Sequence, residues 1–150
     1  MAIQNKYIAQ LEKLLTHLKN AKLVYLEAAD HANNSDKKRY LNQHALKRNR
    51  FFQDTLSELQ NLGMSYDDLI ISGFNFNQML ISSIETLNDS ATNKCLKVDL
   101  NLSKIYQKII SFEFDTSIFE KHIETIEECI ENRNRLINSL SSEVNLNRIY

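Results

Sequence analysis

The chain has 150 residues, no proline, and only two glycines, Gly63 and Gly73. Tight β-hairpins take their turns from those residue types, so a sandwich or barrel is hard to build from this sequence. Long helices joined by few loops fit the deficit. Cysteine is scarce as well. Cys95 and Cys129 form no CxxC pair, which excludes a small disulfide scaffold and points to reduced thiols in a core.

An excess of charge of either sign is also lacking. The net charge is −1, and lysines and arginines are spread along the whole chain. That leaves no electrostatic footprint for nucleic acid. The densest basic run is Lys47, Arg48 and Arg50, with Lys37, Lys38 and Arg39 upstream. On a helix these residues fan around the axis and make no single patch. Apolar stretches are only a few residues long, so no membrane span is expected. Met1 to Gln10 lacks the apolar core of a secretion signal. The expected setting is therefore the cytoplasm, with no membrane and no nucleic acid as partner.

What the sequence does have is helical periodicity. Leu11, Leu14, Leu18, Ala21, Tyr25, Ala28 and Ala32 step by three and four, which predicts a first helix over about 5–33 with one face turned inward. Asn33-Asn34-Ser35-Asp36 ends it, because these side chains compete for backbone hydrogen bonds and favour caps. A second helix is predicted over about 36–62. Leu41, Ala45, Phe52, Leu56 and Leu59 form its inner face, and Gly63 its C-terminal cap. The turn between the two is short, so they should lie antiparallel.

Residues 64–89 read as a crossover with a short extra helix from about 75 or 77 to 88. A third long helix is predicted over about 90–111, with Cys95, Leu102, Tyr106 and Ile109 in register. The last begins at the capping-box pattern Ser117-Ile-Phe-Glu120 and carries Phe119, Ile123, Ile126, Ile130, Ile137 and Leu140. Beyond Ser141 the chain turns polar. The expected architecture is a single all-α domain over 1–150, an antiparallel four-helix bundle. Hairpin one spans about 5–63 and hairpin two about 90–141.

The two hairpins resemble each other. Arg48-Asn49-Arg50-Phe51-Phe52 recurs as Arg133-Asn134-Arg135-Leu136-Ile137, a spacing of 85 residues. At the same spacing Leu41 matches Ile126 and Ala45 matches Ile130. In the other two helices Tyr25 matches Tyr106 and Ala28 matches Ile109. This pattern fits duplication of one helical hairpin. Chance recurrence among helices of like composition is the alternative.

Polar residues interrupt the apolar faces. Arg48 falls between Ala45 and Phe52, Arg133 between Ile130 and Ile137, and Asp99 between Cys95 and Leu102. An isolated charge in a dry core is very costly, so each arginine needs a carboxylate or several carbonyls. Tyr25 and Tyr106 each bring a hydroxyl that must find a partner if buried. One reading is a buried polar layer of Tyr25, Arg48, Asp99, Tyr106 and Arg133. The simpler reading has the arginines reaching to the rim of the bundle and pairing there with carboxylates.

Four-helix bundles also house di-metal centres, which take a Glu from each of two helices and a Glu-x-x-His pair from each of the others. No Glu-x-x-His occurs in the chain. Leu41 stands three residues before His44, and Glu120 and His122 are two apart, on different faces. Glu27 and His31 share a face. With His44 and Asp99 they are the only candidates for a metal, and no resident metal or cofactor is expected. No nucleophile–base pattern, phosphate loop or zinc spacing stands out.

A further pattern is carried by Tyr25-Leu-Glu27-Ala28-Ala29 before a polar turn. It continues in a helix bearing Arg48-Asn-Arg50-Phe51-Phe52 and closing on Leu59-Gln-Asn-Leu62-Gly63. Asp99 then precedes Tyr106 by seven residues. Over roughly Ile8 to Leu140 this resembles the bacterial family designated domain of unknown function 2383, which implies a ferritin-like four-helix bundle and no particular activity. Two positions depart from it. The glycine-rich connector is reduced to Gly73, and Val98 stands where a glycine is usual.

The functional expectation that follows is a non-catalytic bundle acting through a protein partner or self-association, in a stress response, with Phe74, Phe76 and Met79 as contact residues. The alternative is a degenerate metal-binding or oxidase-like bundle.

Overall fold

The structure, a computed structural model, describes residues 2–65, residue 67 and residues 91–132. They form four helices, α1 (Ala2–Asp30), α2 (Ser35–Asn61), α3 (Ala91–Ile110) and α4 (117–132), with no strand among the described residues. None of the helices is long and apolar enough to cross a membrane. The extra helix expected near 75–88, the contact residues Phe74, Phe76 and Met79, and Arg133, Ile137 and Leu140 lie outside the described residues. So does the second Arg-Asn-Arg run.

α1 stops at Asp30, three residues short of its expected end, because the turn needs Asn34 for α2. The Asn34 side chain accepts a hydrogen bond from the Lys37 amide at 2.7 Å, capping α2. His31 and Ala32 close the end of α1 with bonds to the Glu27 and Ala29 carbonyls. This turn brings α2 back against α1, so that Lys22 bonds Asn49 at 3.2 Å and Tyr25 meets Arg48.

At its far end α2 closes as expected on Gly63, which adopts φ of +91°. The Gly63 amide bonds the Gln60 carbonyl and the Met64 amide the Leu59 carbonyl, each at 3.0 Å. These are the two bonds of a Schellman cap, and they answer carbonyls the helix leaves open.

α4 begins at Ser117 as expected, but that residue plays another part than the capping-box pattern implied. Ser117 is its first helical residue and not its cap. Instead Asp115 accepts bonds from the Ser117 amide at 3.2 Å and hydroxyl at 2.8 Å. The Asp115 side chain accepts from the residue two further along the chain, as aspartate does in Asx turns, and the serine serves it as a donor.

The core follows from the apolar periodicity. Leu11, Leu14, Leu18 and Ala21 of α1 are fully buried against Phe51 and Leu59 of α2, Leu102 and Ile109 of α3, and Phe119 and Ile126 of α4. A second cluster holds Tyr25, Ala28, Leu41, Ala45 and Cys95. On α2 the deepest residues beyond Arg48 are Phe51, Thr55 and Leu59, while Phe52 and Leu56 are only partly buried. The inner face is thus rotated slightly from the expected one. Thr55 tolerates the position because its hydroxyl bonds the Phe51 carbonyl at 2.8 Å. On α4 the same rotation puts His122 and Cys129 inside and leaves Ile123 and Ile130 half-buried.

Candidate functional site

Two polar clusters lie inside the helices. The first draws one side chain from each helix α1, α3 and α4 and two from α2. Its centre is Arg48, which is 0% exposed, as is Asp99. One guanidinium nitrogen, Nη2, donates to both Asp99 oxygens at 2.9 and 3.0 Å and lies 3.1 Å from the Tyr25 hydroxyl. That hydroxyl in turn donates to Asp99. The guanidinium carbon also stands 4.1 Å from the centre of the Tyr25 ring, a cation–π arrangement.

The other terminal nitrogen, Nη1, donates to the His44 carbonyl at 3.1 Å and faces His44 Nδ1 at 3.2 Å. Guanidinium has only hydrogens to offer, so His44 Nδ1 presents its lone pair and the ring hydrogen sits on Nε2. Burial alone works against the charge on Arg48, but Asp99 outweighs it and holds the guanidinium protonated well above its ordinary range. Cys129 of α4 completes the cluster, its sulfur 3.2 Å from His44 Nδ1. Arg48 Nε is buried without a hydrogen-bond partner.

The arginine therefore does not reach to the rim. It stays inside, where Asp99 supplies the carboxylate its burial requires. A seven-residue step along α3 from Asp99 leads to Tyr106, also fully buried. The Tyr106 hydroxyl meets His122 Nδ1 at 3.0 Å, and His122 Nε2 meets Asp54 at 2.9 Å. A carboxylate accepts only, so Nε2 carries the hydrogen and Nδ1 accepts from the tyrosine. Phe51 stacks flat on the His122 ring, with centres 4.0 Å apart. Burial lowers the pKa of His122, and its bond to Asp54 acts in the opposite sense. Burial raises that of Tyr106.

Tyr106 thus belongs to a second cluster, Tyr106–His122–Asp54. His122, Asp54 and Cys129 were not singled out by spacing. His122 and Cys129 lie seven apart and in register with Phe119 and Ile126, so periodicity allowed them inward. The isoleucines one residue later matched equally well. Asp54 carries no sequence signal, since a half-exposed acid on a helix is common.

The metal candidates divide. His44 and Asp99 are buried around Arg48, whereas Glu27 and His31 are exposed at the end of α1. Among the described residues no group of three or more His, Cys, Asp or Glu is arranged to hold a metal ion. The position of Arg48 explains part of this: its cation already occupies the Asp99 carboxylate.

No family model matches the chain, and neither the curated proteins nor the solved structures contain a match to it.

Proposed function

We propose that the chain is a non-catalytic, antiparallel four-helix bundle of the ferritin-like kind, built from two related hairpins, that acts by self-association or by docking a protein partner. The resemblance to the domain of unknown function 2383 family belongs to the same proposal, as does a cytoplasmic, bacterial setting. The observation that carries it is the pairing of Arg48 with Asp99 at 2.9 Å, both side chains wholly buried. A ferritin-like interior that served metal chemistry would keep its carboxylates for cations. Here the central carboxylate answers an arginine of the same chain, so this layer works as structure. Function then falls to the outside, where Ile3, Leu46 and Leu100 are the large apolar side chains most exposed on α1, α2 and α3.

Sedimentation velocity over a wide concentration range, combined with pull-downs, tests the reading. Concentration-dependent assembly or a captured partner that is lost in Leu46→Glu or Leu100→Glu supports it. A strict monomer at high concentration with no captured partner overturns it. So does stoichiometric iron, manganese or zinc in the purified protein with a raised melting temperature.

A further inference from the structure

We propose that Cys129 is an oxidation site that takes an oxygen atom from a small hydroperoxide, with His44 as the base that receives the thiol proton. The chain holds two buried cysteines, and their surroundings differ. Cys95 lies in the apolar cluster of Val24, Ala28, Leu41 and Ala45. Cys129 instead faces His44, with Sγ 3.2 Å from Nδ1 and 3.9 Å from Nε2.

The state of that imidazole is set by its neighbour. Arg48 Nη1 presents hydrogen to the same Nδ1 at 3.2 Å, so the nitrogen facing the sulfur is the one with a lone pair. A thiol beside an unprotonated imidazole nitrogen is the arrangement that yields a nucleophilic sulfur. When the thiol proton moves to Nδ1, Arg48 Nη1 keeps the His44 carbonyl at 3.1 Å as its acceptor. The arginine then loses one contact and is not stranded. Its partnerless Nε adds an unsatisfied donor to a layer that is otherwise paired.

The step balances. The thiol proton passes to His44 Nδ1, and the thiolate attacks the terminal oxygen of the hydroperoxide. The S–O bond forms as the O–O bond breaks. Sulfur is oxidised by two electrons, and the peroxide is reduced to water or an alcohol as His44 returns the proton to the leaving oxygen. The product is a sulfenic acid on Cys129. Cys129 is only 1% exposed, so the probe is the smallest hydroperoxide, hydrogen peroxide.

The test uses the full chain and hydrogen peroxide as probe. Timed exposure is followed by quenching, denaturation in the presence of dimedone, and peptide mass spectrometry, which reads oxidation at Cys129 and Cys95 in the same molecules. Cys129 should be oxidised about tenfold faster than Cys95 or more, given what a positioned base contributes. In His44→Asn that ratio should fall towards one, with Cys95 unchanged. Equal rates at the two cysteines in the native protein overturn the proposal, and so does a native Cys129 that stays unoxidised while the denatured chain reacts at both. The comparison within the unmodified protein stands even if His44→Asn does not fold.

Discussion

Arg48 and Asp99, 51 residues apart, meet through a single guanidinium nitrogen that contacts both carboxylate oxygens, and neither side chain reaches solvent. Removing one member leaves the other charged and buried. Asp99→Asn should therefore destabilise the protein by about 3–5 kcal/mol, whereas an Arg48→Met, Asp99→Leu double variant should fold with stability near the parent's. Urea unfolding of the two variants checks this. A double variant as unstable as Asp99→Asn would show that the layer contributes more than a charge pair.

Tyr25 has two roles that one substitution separates. Tyr25→Phe keeps the ring under the guanidinium and removes the hydroxyl that donates to Asp99 and faces Arg48 Nη2. The expected loss is about 1–3 kcal/mol, the cost of leaving buried partners short of a bond. A loss close to zero by the same urea measurement would assign the residue's contribution to its ring.

Acid should weaken the fold through His122. Burial lowers its pKa in the folded protein, against the opposing pull of Asp54. Below the ordinary histidine range the unfolded chain therefore binds a proton that the folded protein resists. Stability rises with pH in that window and is lost as pH falls towards the folded pKa. His17, lowered by burial and by Lys13, acts in the same direction. Unfolding midpoints measured between about pH 7 and about pH 5 should fall, and His122→Gln should flatten the curve, leaving the part due to His17.

Gly63 holds φ of +91°, and a Cβ there would meet nothing within 4 Å. Any cost of Gly63→Ala is consequently a backbone cost, expected at about 1–2 kcal/mol. Gly63→Asn should lose less, because asparagine tolerates the left-handed region better. Thermal melts of the two variants provide the comparison.

Much of the fold could be read from spacing, and the reason is visible in particular residues. The run from Leu11 to Ala28 left no second choice of face, and every member of it is buried. Gly63 marked its cap because a positive φ is what glycine is suited to. Asp99 was legible as an interior acid because it interrupts an apolar face between Cys95 and Leu102. The polar partners were harder. Ile123 and Ile130 competed with His122 and Cys129 for the inner face of α4, and that contest is decided by Phe51 and His44 on another helix. Arg48 could be read either as buried or as reaching the rim, because its depth depends on where Asp99 sits, which no local pattern shows. α4 begins at Ser117, but the contact made there was not legible in the motif, because the acceptor is Asp115, which lies outside it.

Asp99 is the only acid on α3, whose sequence runs ATNKCLKVDLNLSKIYQKII. Sliding that helix by one turn would set Cys95 or Ser103 opposite Arg48, and neither side chain answers a guanidinium charge. Apolar faces with repeating leucines and isoleucines pack almost as well one turn out of place. The single ion pair does not permit that slip, so it selects one alignment of α3 against α1 and α2 from several that the hydrophobic surfaces alone would accept.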